Sequence, residues 1–242
     1  MNPRLRILSL ICCSVALSCL VLLIGTHAEP RYQARSLSHW LLEYRTNQFS
    51  NAVACRASAD AVRQIGTNAL PCLLKWARYN EPKWRTRLYT QIWKIKWNLP
   101  KPWIFRLSLH LRPCRPERPD ALARAGFEIL GPAAEPALTE LISVISDPHT
   151  TCPIGSVIHC AMEIGPASFS PLTNILTSSS YPARVRCAIA DHILCERNPA
   201  REWAPALVLA SRDSDLTVAS AASRALAIIG TLDMSRVAHS SE

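Results

Sequence analysis

The chain has 242 residues, of which 49 % are hydrophobic, and it carries a formal net charge of +9. This apolar content argues against global disorder, and the length suffices for one large core or several small ones. Glycine is scarce, with seven residues, whereas alanine and leucine are abundant. The composition therefore favours helices over a strand-rich sandwich.

The first 28 residues differ from the rest of the chain. Arg4 and Arg6 precede an uncharged apolar run from Ile7 to Ile24, and small residues follow as far as Ala28. This order is typical of a secretory signal cleaved after Ala28. The run also reaches the lower limit of a membrane-spanning helix, so we expect a signal peptide or, slightly favoured, a retained N-terminal membrane anchor. Either places the remaining chain outside the cytoplasm. A buried helix of a cytosolic protein is the remaining alternative.

A glycine followed five or six residues later by a proline recurs along the chain. Gly66 with Pro71 and Gly131 with Pro136 share the shorter spacing; Gly165 and Pro171 are one residue further apart, and Gly230 follows a similar apolar run. Successive glycines are 65, 34 and 65 residues apart, and the long intervals are close to twice the short one. A period of about 33 residues predicts an array of helical units.

Each unit is predicted to be a helical hairpin. The first helix ends at the glycine, which allows a left-handed residue, and the second carries proline in its opening turn, where no helical hydrogen bond is lost. Residues 183–195 and 201–210 are predicted to form a unit without the glycine. Asp147, and Asp213 or Ser214, are the candidate N-caps of first helices. Because each helix is apolar on one face, the hairpins must stack to bury those faces.

The pattern A-x-x-x-L/I-x-x-I/L-G-P/T-x-A-x-P-x-L resembles that of HEAT repeats, of the degenerate kind also called HEAT-like or phycobilisome-lyase-type repeats. The segment "YQARSLSHWL" at 32–41 also resembles the start of bacterial HEAT-repeat proteins with an N-terminal apolar segment. The resemblance covers about 32–230 and is weakest at 81–118. It implies an all-α fold, an α-α superhelix or solenoid of about five hairpins. It implies little about function, since such folds serve scaffolds, adaptors and occasional enzymes.

A basic, tryptophan-rich insert interrupts the repeats. Residues 75–118 contain twelve Lys or Arg and two acids, a net charge of +10, whereas the rest of the chain after residue 28 has a net charge of −3. Five of the seven tryptophans lie there. We expect helices at about 83–97 and 103–111, taking the place of one regular repeat. The candidate binding residues are Lys83, Trp84, Arg85, Arg87, Trp93, Lys94, Lys96, Trp97, Lys101, Trp103 and Arg106.

Three kinds of partner suit this insert: an anionic membrane surface, nucleic acid, or an acidic protein or polysaccharide. The structural alternative, to which we give about half the weight, is that the tryptophans pack against neighbouring repeats while the cations face solvent. Export argues against nucleic acid. An adjacent membrane anchor favours the membrane, where each Lys or Arg adds about 1 kcal/mol.

Patterns for catalysis and metal binding are weak. His159 with Glu163 and His192 with Glu196 have the i, i+4 spacing of two metal ligands, but the same spacing is routine for a surface pair and no third ligand is indicated. The chain has no G-x-S-x-G, no phosphate-binding glycine loop and no H-E-x-x-H. We therefore expect no catalytic residue, no metal and no cofactor. A lyase-type HEAT-like enzyme acting on a tetrapyrrole or its carrier is disfavoured by the export segment.

Seven cysteines lie beyond the N-terminal segment, at positions 55, 72, 114, 152, 160, 187 and 195. An odd number without a C-x-x-C pair predicts neither a disulfide framework nor a zinc site. Most lie among alanines on predicted helices, where cysteine packs as a small apolar residue. An exported chain can still hold one disulfide, and the sequence does not choose the pair.

The predicted organisation has four parts. They are an N-terminal signal or anchor at 1–28, an N-terminal helix with the first repeat at 29–80, the basic insert at 81–118, and further repeats at 119–242. We expect a non-catalytic scaffold that offers an extended face to a protein partner at the cell envelope. The oligomeric state is not fixed by the sequence.

Overall fold

The computed structural model describes residues 29–95, 117–195 and 201–239. Within these ranges the fold is all-α, apart from a short antiparallel hairpin of β1 (Arg31–Tyr32) and β2 (Arg35–Ser36). The α-helices are α1 (Leu37–Asn47), α2 (Ala52–Ile65), α3 (Leu70–Ala77), α4 (Lys83–Ile95), α5 (Pro119–Leu130), α6 (Leu138–Ser146), α7 (Ile154–Glu163), α8 (Phe169–Thr177), α9 (Ala183–Cys195), α10 (Ala204–Ala210) and α11 (Leu216–His239). The predicted N-terminal signal or anchor and the predicted helix at 103–111 lie outside the described residues.

Side-chain caps begin the first two helices. The Ser36 hydroxyl accepts a hydrogen bond from the His39 amide at 3.4 Å, and Asn51 Oδ1 accepts one from the Ala54 amide at 3.1 Å. Each bond satisfies an amide that has no partner inside the helix, which fixes where the helix starts. The caps thereby orient α1 and α2, which pack against each other.

Short 3-10 segments join the two helices of each pair. They are Gly66–Ala69, Gly131–Ala137, Pro166–Ser168 and Arg201–Trp203. Gly66, Gly131 and Gly165 have φ values of 59°, 50° and 92°. Their ψ values lie between −145° and −128°, the mirror image of extended backbone, which is open to glycine and strained for other residues. Pro71 lies in the first turn of α3, and Pro136 lies in the 3-10 segment before α6.

The helix pairs pack in chain order. The first helices α2, α5, α7, α9 and α11 each contact the next, and the second helices α3, α6, α8 and α10 each pack on the first helix of the following pair. One contiguous apolar core results, running from Leu37 to Ile229. Trp203 is among its largest buried side chains, and its ring meets Phe169 edge-on at a centroid distance of 4.9 Å.

The basic insert does not take the place of a repeat, contrary to the sequence-based expectation. Helix α3 packs directly on α5, as α6 does on α7, so no unit lies between them. Gly126 permits this approach, because a Cβ there would lie 2.8 Å from Leu73 Cδ1 and closer still to Cδ2. Glu81 and Arg118, near the two ends of the insert, are an ion pair at 3.9 Å. The two ends of the insert therefore lie close together, near the contact between α3 and α5.

Three predicted turn or cap positions are wrong. Gly230 lies inside α11, because no proline follows it and the helix continues to His239. Asp147 ends α6, its carboxylate accepting a hydrogen bond from the His149 amide at 2.9 Å, and α7 begins only after Pro153. Neither Asp213 nor Ser214 caps α11.

Asp215 caps α11 instead. Its Oδ1 accepts from the Thr217 amide at 2.9 Å and from the Val218 amide at 3.4 Å. Asp213 pairs with Arg186, and both side chains are more than nine-tenths buried. Arg186 also donates to the Tyr181 carbonyl at 3.2 Å. This buried pair joins the start of α9 to the turn before α11, and a buried ion pair left without one partner is strongly destabilising.

Among the described residues, Pro119–Ser146 is long and apolar enough to cross a membrane by length and composition alone. In the fold this stretch is α5, a 3-10 segment and α6. It supplies core residues such as Phe127, Leu141 and Ile145, each at most 1 % exposed. We therefore assign it to the core of the array.

We expect Gly126→Ala to destabilise the fold by about 1–3 kcal/mol, since overpacking at Leu73 outweighs the better helix propensity of alanine. Urea unfolding of the full chain followed by circular dichroism measures this change. Gly230→Ala is the matched control, because nothing lies within 4 Å of the added Cβ. The control should be neutral or stabilising by up to about 1 kcal/mol. Equal midpoints for both variants would contradict the close approach of α3 and α5.

We expect Gly131→Ala to cost about 1–3 kcal/mol for a different reason, namely backbone strain at positive φ. The space around its Cβ is open, so packing adds nothing. Urea unfolding again measures the loss, and Gly131→Asn should lose about as much, because an amide side chain does not relieve strain at this ψ. Unchanged stability of both variants would argue against the positive φ.

Candidate functional site

The predicted basic surface is present on α4. Lys83, Trp84, Arg87 and Lys94 are exposed there, and α4 contains no acid. Arg85 differs: its side chain is 27 % exposed, and its Nε atom lies 3.3 Å from the Glu81 carboxylate. The backbone of Trp93 belongs to the same helix. Lys96, Trp97, Lys101, Trp103 and Arg106 lie outside the described residues.

The exposed side of α4 is also apolar in part. Trp84 is 63 % exposed and Leu88, one turn further on, is 42 % exposed. Ile92, at 9 % exposure, is buried and marks the side of the helix that is turned away from solvent. Trp76, by contrast, packs against the core. The two tryptophans of this region whose side chains the structure describes therefore differ: Trp76 packs against the core and Trp84 is exposed.

A second polar region crosses the first helices of the pairs. We call it the Arg124 cluster; it consists of Arg45, Arg124, His159 and His192. Arg124 occupies a stripe on α5 with Asp120 and Glu128, four residues away on either side. Such a stripe can neutralise an arginine, because residues four apart are neighbours on a helix.

Both acids of that stripe are engaged with other groups. Arg118 holds Asp120 with two hydrogen bonds of 2.8 and 3.0 Å, and the Ser156 hydroxyl donates a third at 3.3 Å. The Tyr44 hydroxyl donates to Glu128 at 3.1 Å. Burial and then the charge of Glu128 raise the pKa of Tyr44 to about 12, so the phenol remains a donor.

The two arginines of the cluster keep unused donors. Arg45 Nη1 donates to the Ala121 carbonyl at 3.2 Å. Burial and then the charge of Arg124 lower the pKa of Arg45, which is the effect of two cations held close together. The Nε atoms of Arg45 and Arg124 are both buried without a hydrogen-bond partner. A buried donor without a partner is costly, so the cluster can gain free energy from an acidic group.

The two histidines face Arg124 from α7 and α9. Their ring centroids are 6.0 Å apart, and His159 Nε2 lies 3.3 Å from Glu163 Oε1. Burial, then Arg124 and then His192 lower the pKa of His159 to about 4. Burial and Arg124 also lower the pKa of His192, partly opposed by Asp191 and by a hydrogen bond with the Gly155 backbone. Both rings are therefore neutral at pH 7.

Polar contacts continue from α9 to α11. Arg224 donates to Asp191 at 3.0 Å, and the Cys187 thiol lies 3.6 Å from the same carboxylate. Burial and then Asp191 raise the pKa of Cys187, so it stays a thiol. Cys160 is fully buried, and burial raises the pKa of its thiol far above the ordinary value. Within the described ranges, Cys55, Cys72, Cys152, Cys160 and Cys187 are unpaired.

An open cleft of about 520 Å³ lies between the end of α3 and α6, near the start of the insert. Its lining is mostly polar, comprising Arg78, Ser143, Val144, Asp147, Thr150, Thr151 and Cys152. Arg78 pairs with Glu140, and Asn80 donates to the Thr151 carbonyl at 2.9 Å. The cleft therefore brings together groups that are already paired, and it offers less unused hydrogen-bonding capacity than the Arg124 cluster.

No group of three His, Cys, Asp or Glu residues that could hold a metal occurs in the described part of the chain. His159 and Glu163 meet as their spacing indicates, and Glu196 lies outside the described ranges. What the Arg124 cluster offers chemically is hydrogen-bond donors and positive charge at a partly buried surface. These are means of binding an acidic group.

Sequence reasoning missed Arg45, Arg124, Asp120 and Ser156. A signal was present in "PDALARAGFEIL", where three charges four residues apart interrupt an otherwise apolar helix. Charges on a helix that is apolar elsewhere mark a polar contact or an exposed edge. The position of Arg45 beside α5 carries no such local signal, because it depends on how α1 packs.

Comparison of the chain with protein-family models, with curated proteins and with solved structures gave no match. The residues and their geometry therefore carry the interpretation that follows.

We expect acid to destabilise the fold through His159. The unfolded chain takes up a proton near the ordinary pKa of 6.5 and the folded chain only at about 4, so the free energy of unfolding falls as pH drops between these values. The ring is 36 % exposed, so we reduce the expected loss for solvent screening to about 1 kcal/mol. Arg124, His192 and Glu163 are the charged or titratable groups that act on or contact this ring, and Asp191 acts on the neighbouring His192.

The measurement is urea unfolding of the wild type and His159→Gln at pH 7.5, 6, 5 and 4.5. The variant should lose less stability over this range than the wild type. His39→Gln, at an exposed ring, is the control and should follow the wild type. Parallel curves for all three proteins would contradict the low pKa of His159.

Proposed function

We propose that the chain is a non-catalytic HEAT-like scaffold that binds a protein partner at the cell envelope. The observation that carries this proposal is the ordered packing of helix pairs, each joined by a 3-10 segment, with a glycine at positive φ in three of the joints. Units that contact mainly their neighbours build an extended surface rather than a closed pocket. The resemblance of the sequence pattern to HEAT repeats supports the same architecture, a solenoid of about five units.

The surface that we expect the partner to cover contains the Arg124 cluster. The first helices present it along the row of pairs, between α1 and α9. Arg45 and Arg124 have buried Nε donors without partners, and Asp120 and Glu128 are engaged by Arg118 and Tyr44. Both arginine side chains are half-buried, so a carboxylate from an acidic segment of a partner would pair with the part of each guanidinium that reaches the surface.

The envelope location follows from the N-terminal sequence. Two arginines before an apolar run of 18 residues orient the N-terminus to the cytoplasm and the helix pairs to the outside. Under this proposal the partner is a protein of the same compartment, and its contact surface carries Asp or Glu. Nucleic acid is disfavoured there for the same reason.

The test is cross-linking of the tagged full-length chain in its native envelope, followed by identification of stoichiometric partners and measurement of their affinity. The double variant Arg45→Gln/Arg124→Gln should bind the partner with an affinity at least about tenfold lower than that of the wild type, as expected when charged hydrogen bonds are removed from an interface. Arg212→Gln, at an exposed position between α10 and α11, should keep it.

A thermal melt of each variant separates lost binding from lost folding. The double variant loses the hydrogen bond from Arg45 to the Ala121 carbonyl, worth about 1 kcal/mol, so it should melt about 2–4 °C below the wild type and remain folded at the temperature of the binding measurement. A partner retained equally by the double variant would contradict the Arg124 surface. The absence of any stoichiometric partner would contradict the scaffold itself.

A further inference from the structure

The exposed face of α4 has the organisation of a membrane-contacting helix. With about 100° of rotation per residue, Trp84, Leu88 and Gln91 form one exposed ridge. Lys83, Arg87 and Lys94 lie together on one flank, about 60° to 100° around the axis from Trp84. Ile92, which is buried, lies on the opposite flank. The helix therefore presents an aromatic and aliphatic ridge beside a row of cations.

The cations on this flank form no ion pair within the described part of the protein. Arg85 is bound to Glu81, but Lys83, Arg87 and Lys94 have no carboxylate within ion-pair distance there. Three like charges on one flank repel each other, and α4 has no acid to relieve them. An external anionic surface would remove this repulsion and would also cover an exposed indole.

The position of α4 relative to the N-terminal segment favours a lipid surface. Glu29, the first described residue after the apolar run, accepts a hydrogen bond from the Ser38 amide at 3.1 Å. Glu29 also acts on Cys72 of α3. Burial and then the charge of Glu29 raise the pKa of that thiol, which indicates that the two residues are close. The chain from Cys72 to Lys83 has five helical steps and a six-step linker, which together span at most about 30 Å.

We propose that α4 binds the surface of an anionic lipid bilayer, with Trp84 and Leu88 entering the interfacial layer and Lys83, Arg87 and Lys94 contacting lipid phosphates. Tryptophan and long basic side chains suit this layer, since each has an apolar body and a polar end. An apolar N-terminal segment and a basic helix then form two membrane contacts of one chain. The proposal shares only the envelope location with the scaffold function and does not depend on the protein partner.

The experiment uses the full-length chain reconstituted into two kinds of vesicle, phosphatidylcholine alone and phosphatidylcholine with 30 % phosphatidylglycerol. Amine acetylation followed by mass spectrometry reports the accessibility of each lysine. We expect Lys83 and Lys94 to react at least about fivefold more slowly in the anionic vesicles, and 0.5 M salt to abolish the difference, as screening requires. The phosphatidylcholine vesicles, at low salt and at 0.5 M salt, are the control for reagent access to each lysine.

Two variants test the two parts of the face. Trp84→Ser/Leu88→Gln should weaken the protection of Lys83 and Lys94, whereas Leu216→Gln, at a residue that is 83 % exposed, should leave it unchanged. Arg87→Glu should abolish the protection, and Arg212→Glu should not. All five positions are exposed, so these variants leave the fold intact.

Equal acetylation of Lys83 and Lys94 in both vesicles would overturn the proposal. Protection by soluble polyglutamate or by an oligonucleotide, without protection by anionic vesicles, would also overturn it and would assign the face to a soluble polyanion. Loss of the protein partner in the cross-linking test leaves the lysine measurement unaffected, so the two proposals fail separately.

Discussion

Burial of one helix pair by the next is the constraint on which the structure depends. Each helix has an apolar face that its own pair cannot cover. The core is therefore continuous only if the second helix of each pair packs on the first helix of the following pair. The contact of α3 with α5 is the critical one, because the whole insert lies between them in the chain. Gly126 allows this contact, since the absence of a side chain lets Leu73 fill the space between the two helices.

The same packing creates the polar groups that we assign to binding. Helix α5 buries Ala121, Phe127 and Leu130 in the core and is thereby fixed in rotation, which turns Arg124 toward α1, α7 and α9. Asp120 is taken by Arg118, the residue just before α5, and by Ser156 of α7, whereas Glu128 is taken by Tyr44 of α1. Arg124 is thus left with an Nε donor that has no partner. Burial and then the charge of Arg124 lower the pKa values of His159 and His192.

Local features of the chain were predictable from the sequence to different degrees. The α9 helix at Ala183–Cys195 has the predicted bounds, because apolar spacing and alanine content agree there. Gly230 was misassigned because a glycine ends a helix only when the following residues leave the helical path, and α11 continues. The Arg124 cluster was not foreseen, since it joins residues from α1, α5, α7 and α9. A pattern within one helix carries no information about which charges from other helices it will meet.

The Glu81–Arg118 ion pair brings together the two ends of a long excursion of the chain. Closing a loop costs conformational entropy that grows only as the logarithm of its length, about 0.6 kcal/mol for each doubling. The segment between these residues can therefore lengthen, shorten or change composition while the row of helix pairs keeps its spacing. The fold separates a part whose dimensions are set by close packing from a part whose length is nearly free. Surface chemistry can vary in the second without any adjustment in the first.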